Sequence, residues 1–236
     1  MMKKVGMLLL SLALVVSVLG IASSVSAASH GKQGVLQSVE GYTQHLGELA
    51  KHDQEANQLL KEFKALDRVK QEKLIQYLND PELFRALIEK SNALNAGESV
   101  ALKNGDVLIR KDLTITVDEG VEEVPDLQAT YYRRATYTVT QEIFGLKITK
   151  LSSYVRYTHN GYRVTSTYGN GAYVTNYNFG VKITKDVRSH YHTSVRAYST
   201  TIWEGAFARW TPIVVSKEQK VWGTYWNTAG GYLINL

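Results

Sequence analysis

The sequence contains no cysteine, and it has only three prolines in 236 residues. Without cysteine the chain forms no disulfide bond, so its fold must depend on the hydrophobic core alone. Motifs for a catalytic nucleophile, a Gly-rich phosphate loop and a HExxH zinc site are also absent. These absences remove the common sequence signatures of an enzyme, and we predict no cofactor.

The N-terminus predicts export. Two lysines precede the apolar run MLLLSLALVVSVLGIA, and the following SSVSAAS ends in a small-x-small pattern. This is the pattern of a secretory signal peptide, and the apolar run is shorter than the roughly 20 residues that span a bilayer. We therefore predict that residues 1–27 are a signal peptide, cleaved after Ala27, and that the mature chain is extracellular. No cysteine follows the run, which excludes a lipid anchor. The composition suggests a Gram-positive bacterium.

Charge and aromatic content divide the mature chain into two regions. Residues 28–127 carry 12 Lys+Arg against 18 Asp+Glu, a net charge of −6, whereas residues 128–236 carry 13 against 4, a net charge of +9. All four tryptophans and 13 of the 15 tyrosines lie in the second region. Because such different regions rarely share one core, we predict two domains. Their opposite charges also predict that the acidic helical region docks on the basic region and covers it.

Apolar residues in the acidic region recur at steps of three and four, which predicts a small helical bundle over residues 28–98. The first apolar stripe consists of Val35, Val39, Tyr42, Leu46, Leu49, Ala56, Leu60 and Phe63. Gly41 and Gly47 weaken this helix and permit a break between them.

Two further helices are predicted in the same region. One begins after Asp67, and its inward stripe consists of Val69, Leu74, Ile75 and Leu78. The other begins in the segment NDPELFRALIEK, where Asp80 is the expected N-cap and Pro81 the first helical residue.

The hydrophobic period changes from 3.6 to 2 after residue 98, which predicts β structure. Asn104–Gly105 lies between two alternating runs and predicts a hairpin with a type I′ turn, followed by a short third strand, over residues 99–117. Residues 118–130 are acidic, contain a proline and have little to bury, so they predict a linker.

Residues 131–236 predict an antiparallel β-sandwich. Short segments rich in Tyr, Thr and Val alternate there with turn signals such as Asn160–Gly161. The predicted fold class is therefore α+β, with a small N-terminal helical bundle and a β-hairpin followed by an antiparallel all-β sandwich.

A heptapeptide occurs twice, as FGLKITK at residues 144–150 and as FGVKITK at residues 179–185. On a strand, its Phe, Leu or Val, and Ile share a buried face, and its Gly, Lys and Thr share a wet face. The wet face of the repeat carries lysines but no nucleophile, acid or base at a fixed place. We therefore interpret it as a repeated structural strand rather than a catalytic signature.

Cations and aromatic residues alternate through the basic region and predict a binding surface. Trp222 and Trp226 are expected on one face of the last long strand. Such a surface attracts an anionic cell-wall polymer, a glycan or a membrane surface by charge and ring stacking. The alternative is that the tryptophans are core and the cations an ordinary solvated face. Nucleic acid is not expected, because no nucleic-acid motif is present. The candidate binding residues are Arg133, Arg134, Arg156, Arg163, Lys182, Lys185, Arg188, Arg196, Trp222 and Trp226.

His190 and His192 are the best candidates for metal ligands. The segment SHYHTS places both on one face of a predicted strand, which suits two ligands of one metal ion. A third ligand is not marked in the sequence, so the simpler interpretation is two exposed histidines and no metal site. A paired-carboxylate glycosidase site is likewise unmarked.

The architecture resembles that of uncharacterised secreted proteins of Gram-positive bacteria. The resemblance rests on a signal peptide, a helical region with YLNDPELFRALIEK, the hairpin ESVALKNGDVLIRK and a Tyr-rich β region. It spans most of the mature chain and implies no activity and no functional residue. The basic region alone resembles secreted β-sandwich bacteriocins of the lactococcin 972 kind.

Three functions remain open at this point. The first is a secreted, non-enzymatic protein whose basic, aromatic sandwich binds an extracellular surface. The second is a bacteriocin-like antibacterial protein that acts on competing cells. The third is an extracellular hydrolase, for which the sequence supplies no catalytic constellation.

Overall fold

The computed structural model describes residues 38–118, 130–207 and 213–236. In these ranges four helices come first, and ten strands in two antiparallel sheets follow. The predicted α+β class, with helices before an antiparallel sandwich, is confirmed. The predicted signal peptide lies outside the described residues, as do residues 119–129 of the predicted linker. No helix in the described ranges is both long and apolar enough to cross a membrane.

The four helices begin at side chains that accept backbone N–H bonds. Their bounds are α1 Val39–Leu49, α2 Gln54–Ala65, α3 Arg68–Leu78 and α4 Pro81–Ala93. The N-caps are Ser38, Asp53, Asp67 and Asp80. The helix starts predicted after Asp67 and at Asp80 are therefore confirmed.

Two details of the helix prediction are wrong. Gly41 and Gly47 both lie inside α1, and the break falls at residues 50–53 instead, where Asp53 caps α2. Val69 was expected to face inward but is 72% exposed. It precedes the buried Leu78 by about two and a half helical turns, so it lies on the opposite side of α3.

The first sheet is a meander in which each strand pairs with its predecessor. Its strands, in spatial order, are β1 Ser99–Leu102, β2 Val107–Val117, β3 Tyr131–Ile143, β4 Leu146–His159 and β5 Val164–Asn176. The residues predicted as a second and a third short strand form the single strand β2. This strand pairs with β3 from Val107–Ile143 to Val117–Arg133, so strands from before and after the predicted linker share one sheet.

The second sheet packs on the first. Its spatial order is β10 Ala229–Asn235, β9 Ile213–Thr224, β8 Arg196–Phe207 and β6 Val181–Val187, and β7 Tyr191–His192 pairs with β8. The facing sides of the two sheets form the core of the sandwich. Fully or almost fully buried side chains on these sides include Tyr137, Val155, Tyr157, Trp203, Val221 and Leu233.

The repeated heptapeptide begins with a turn in each copy, not with a strand. Phe144 and Gly145 have φ values of 53° and 79° and form the two-residue connection between β3 and β4. Both values lie in the left-handed region that a type I′ turn requires. The strand continues as predicted, with Ile148 buried and Lys147 exposed, although Thr149 is buried as well. The copies lie in different sheets, at the starts of β4 and β6.

The predicted hairpin at Asn104–Gly105 has a longer turn than expected. Both residues have positive φ, but Lys103 has a φ of 53° too. The last pair of the ladder is Leu102–Val107, so four residues connect β1 and β2. The turn at Asn160–Gly161 likewise has four residues, because β4 ends at His159 and β5 begins at Val164.

A polar network lies in the centre of the sandwich. Gln219 is completely buried, and its Oε1 accepts hydrogen bonds from Trp203 Nε1 at 2.6 Å and from Ser153 Oγ at 3.2 Å. Its Nε2 donates to the carbonyl of Tyr137 at 2.8 Å. Ser153 also bonds Thr201 at 2.9 Å. Because each group has a partner, the network joins the two sheets without leaving an unsatisfied amide.

The helices pack against one end of the sandwich through aromatic rings. Tyr42 of α1 is fully buried, meets Phe63 edge-on at 5.1 Å and lies 5.7 Å from Phe179. Its hydroxyl donates to the carbonyl of Tyr177, whose own hydroxyl donates to Asp53 Oδ2 at 2.9 Å. The cap of α2 is thus tied to the connection between β5 and β6.

Two buried lysines bind the C-terminal end of α4. Lys217 of β9 donates to Ile88 O, Ser91 Oγ and Asn92 Oδ1 at 2.6–2.8 Å. Lys111 of β2 donates to Leu94 O at 2.7 Å. The last carbonyls of a helix carry partial negative charge, so these ammonium groups act as a cap from both sheets. Burial lowers the pKa of each lysine to about 8, and the nearby Lys111 adds to the effect at Lys217.

These lysines predict a stability that rises with pH above 8. In the folded state they lose their protons near pH 8, whereas unfolded lysines keep them to about pH 10.4. The unfolded chain then binds more protons, so the free energy of unfolding should increase by about 1.5 kcal/mol per lysine between pH 8 and pH 9.5. Above about pH 10 the trend reverses, because burial raises the pKa of tyrosines such as Tyr157, to about 12.

Urea unfolding at half-unit pH steps measures this dependence. The Lys217→Met variant serves as the comparison, and its slope between pH 8 and pH 9.5 should be about half that of the unaltered protein. A free energy of unfolding that is flat or decreasing over this interval in the unaltered protein contradicts the prediction.

Candidate binding faces of the sandwich

The ten predicted binding residues lie on several parts of the sandwich rather than on one face. Arg134 and Arg156 lie on the outer face of the first sheet, and Arg196 and Trp222 lie on the outer face of the second. The exposed Lys182 lies on β6, at the edge of the second sheet. The sequence could not show this division, because it depends on which sheet each strand joins.

The remaining predicted cations have local partners or lie at loops. Arg133 donates to Asn227 Oδ1 at 3.0 Å, and Arg188 pairs with Asp186 at 3.0 Å. Lys185 donates to the carbonyl of Ala172 and lies 5.7 Å from the ring of Tyr173. Arg163 is exposed in the connection between β4 and β5. These residues lie at the edges and ends of the sandwich.

The two tryptophans that were expected on one strand face are separated. β9 ends at Thr224, and Trp226 lies in the turn that follows, where its ring meets Tyr225 edge-on at 4.6 Å. Trp226 is 48% exposed. Trp222 is half-buried on the outer face of β9, whereas Trp203 is buried in the core.

Four aromatic side chains form a cluster on the outer face of the second sheet, which we call the aromatic platform. Its members are Tyr191, Tyr198, Trp222 and Tyr232. Trp222 and Tyr198 are direct cross-strand partners, and so are Tyr198 and Tyr191. Neighbouring ring centroids lie 6.4 Å apart at Trp222–Tyr198 and at Trp222–Tyr232, and 4.8 Å apart at Tyr191–Tyr198. The row from Trp222 to Tyr191 therefore crosses two strand spacings, roughly 10 Å.

A glycine lets the largest ring of the platform lie across the edge strand. Gly230 of β10 is the cross-strand partner of Trp222, and a Cβ placed on Gly230 would overlap the indole. The ring therefore covers the glycine backbone, as aromatic residues do at glycines of edge strands. A ring that lies down on the sheet presents its face rather than its edge to a ligand.

Cations border the platform. Lys220 Nζ lies 5.5 Å from the ring centroid of Tyr198 and 5.7 Å from that of Tyr191, and the Arg196 guanidinium lies 5.4 Å from Trp222. Glu218 contacts the platform, and its carboxylate accepts from the Tyr232 hydroxyl at 2.6 Å. Burial and this carboxylate raise the pKa of Tyr232 to about 12. The face combines exposed rings with positive charge.

The outer face of the first sheet carries a different cluster, which we call the arginine pair. Arg134 and Arg156 are direct cross-strand partners on β3 and β4. Both bind the carboxylate of Asp118, at 2.9 Å and 2.5 Å, and Tyr168 donates to it at 2.6 Å. Burial opposes the ionisation of Asp118, but the bonds from Tyr168 and Arg156 hold its pKa below the usual value.

The two candidate metal ligands do not share a strand face. His190 precedes the short strand β7, and its buried Nδ1 has no hydrogen-bond partner among the described residues, whereas His192 is exposed within β7. The prediction that both histidines lie on one face of one strand is therefore wrong. In the described ranges no group of three His, Cys, Asp or Glu residues is arranged to hold a metal ion.

A cavity of about 70 Å³ lies between α4 and the open end of the sandwich. Its lining is mainly apolar and includes Ile88, Trp203 and Lys217. The lysine ammonium already donates to three acceptors of α4. This cavity therefore belongs to the contact between helices and sheets.

Sequence reasoning missed five residues of these clusters, namely Tyr191, Tyr198, Tyr232, Lys220 and Asp118. The available signal was the pair of glycines in AGGY, four residues after VWGT, because an aromatic ring of a neighbouring strand can cover glycines of an edge strand. Comparison with known proteins adds no further guide, since the chain matches no protein-family model, no curated protein and no solved structure.

Proposed function

We propose that the chain is a secreted, non-enzymatic protein that binds an acidic extracellular glycan through the aromatic platform. The observation that carries this proposal is the row of half-exposed rings, Trp222, Tyr198 and Tyr191, with Lys220 and Arg196 beside it. Sugar rings have apolar C–H faces that stack on aromatic faces, and cations pair with the acidic groups of the glycan.

The arrangement suits an extended chain better than a small molecule. The platform is an open face of a sheet, and its rings follow the twist of the strands, with a tilt of 45° between Tyr198 and Trp222. A polymer can cross several rings at once, so modest contacts at each ring add up. The signal peptide predicted at the N-terminus would bring the protein to such a polymer.

The test is binding of the purified chain to polygalacturonate at low salt, with amylose as the neutral comparison. Trp222→Ala should weaken binding to polygalacturonate about tenfold or more, because it removes the largest ring. Lys220→Gln should weaken binding less and should reduce its salt dependence. Gly230→Ala keeps the tryptophan but displaces the indole, so it should weaken binding as well.

Trp226→Ala is the matched control, because it removes an exposed tryptophan outside the platform. It should leave binding unchanged within about twofold. Equal losses in Trp222→Ala and Trp226→Ala, or the absence of binding to polygalacturonate, would refute the assignment to this face.

A further inference from the structure

Among the described residues, the arginine pair has more positive charge than its neighbours neutralise. Arg134 and Arg156 lie directly opposite each other on neighbouring strands, an arrangement in which like charges repel. Asp118 is the carboxylate that contacts both. Asp118 lies at hydrogen-bond distance from both guanidinium groups, so these three charged groups carry a net charge of +1, and a second anion would reduce the remaining repulsion.

The two guanidinium groups are held in fixed orientations. The side chain of Asp118 is completely buried, and its Oδ1 and Oδ2 accept from Arg134 and Arg156 respectively. Each guanidinium also lies on a tyrosine, with Arg134 5.1 Å from the ring of Tyr154 and Arg156 5.0 Å from that of Tyr168. Contacts on two sides leave the side chains little rotamer freedom to lose when a ligand binds.

Several donors of the pair have no partner within residues 38–118, 130–207 and 213–236. A guanidinium has five N–H groups, of which these contacts use one at Arg134 Nη2 and one at Arg156 Nε. The Nε of Arg134 is buried and has no hydrogen-bond partner among the described residues, so the donors that solvent reaches are those of the outer Nη atoms. The Arg134 and Arg156 side chains are 38% and 31% exposed, so solvent reaches the outer parts of both forks.

We propose that the arginine pair is a binding site for a phosphate group of an anionic polymer, on the opposite side of the sandwich from the aromatic platform. A tetrahedral phosphate has enough oxygens to accept from both guanidinium groups, and the planar fork of arginine matches its geometry. A carboxylate already fills the inner side of the pair, at Asp118. The outer side is the place for the second anion.

Calorimetric titration with soluble poly(glycerol phosphate) at low salt tests the site. Arg134→Lys and Arg156→Lys keep the charge that Asp118 requires but remove the planar fork, and each should weaken binding about tenfold. Arg163→Lys is the matched control, because it makes the same change at an exposed loop arginine, and it should have no effect. Trp222→Ala should also leave this binding unchanged, so the result is independent of the proposed glycan site.

A measurement on the unaltered protein tests the site without relying on variants, which can lose binding because they fold poorly. Inorganic phosphate should shift the side-chain ¹⁵N–¹H signals of Arg134 and Arg156 but not that of Arg163. Vesicles of phosphatidylglycerol distinguish a lipid headgroup from a polymer as the phosphate source, and they should compete weakly. Equal weakening by Arg163→Lys, or unshifted Arg134 and Arg156 signals at saturating phosphate, would overturn the site.

Discussion

Replacing Gln219 by Leu should lower the free energy of unfolding by about 4 kcal/mol. The substitution preserves volume but removes the acceptor of Trp203 Nε1 and the donor to the Tyr137 carbonyl, both of which are buried. Each orphaned buried group costs about 1–3 kcal/mol, because no water replaces the lost partner. Urea unfolding monitored by tryptophan fluorescence measures the change.

A double-mutant cycle separates the hydrogen bonds from the loss of packing. In a Trp203→Phe background there is no indole N–H to orphan, so Gln219→Leu should cost about 1–2 kcal/mol less there. Gln76→Leu on the exposed surface of α3 is the control for the residue change, and it should be neutral within about 0.5 kcal/mol. A cost of Gln219→Leu that is the same in both backgrounds would show that the bond between Trp203 and Gln219 does not stabilise the core.

Replacing Tyr42 by Ala should destabilise the whole chain by about 3–5 kcal/mol. The side chain is fully buried between Phe63 and Phe179, so its removal leaves a cavity and also orphans the Tyr177 carbonyl. Because all four tryptophans lie beyond residue 128, their fluorescence reports on the C-terminal part of the chain, while far-ultraviolet circular dichroism reports on the helices. Both midpoints should shift together, since the residue joins helices to sheets.

Two variants control this experiment. Tyr42→Phe keeps the ring and should cost only about 1 kcal/mol for the hydroxyl, and Val69→Ala on the exposed side of α3 should cost less than about 0.5 kcal/mol. A fluorescence midpoint that stays in place while the helical signal is lost earlier would mean that the helices unfold separately, against this expectation.

Features with local causes were predictable from the sequence. Asp80 accepts N–H bonds from the residues that follow it in the chain, so the cap needs no knowledge of distant parts. The change of period after residue 98 and the alternation in the basic region indicated strands for the same reason. These signals were sufficient for the α+β class.

Features that depend on pairing were not predictable. In the sequence, Lys111 and Lys217 look like ordinary surface lysines. Only the strand register places them against the carbonyls of α4. The position of Trp222 beside Tyr198 and Gly230 likewise follows from the pairing of β9 with two neighbours. A sequence shows alternation along one strand but not which residues of another strand lie beside it.

The contact of Lys217 with α4 has a consequence for the order of folding. The first sheet is a meander, so each of its strands can pair as soon as the preceding one exists, and such local contacts form rapidly. The ammonium of Lys217, however, meets residues that lie 125–129 positions earlier in the chain. Lys217 can therefore cap the C-terminal end of α4 only after β9 has formed. We therefore expect the closure of α4 over the sandwich to be a late step, and the rate of folding to depend on bringing these distant residues together rather than on the meander.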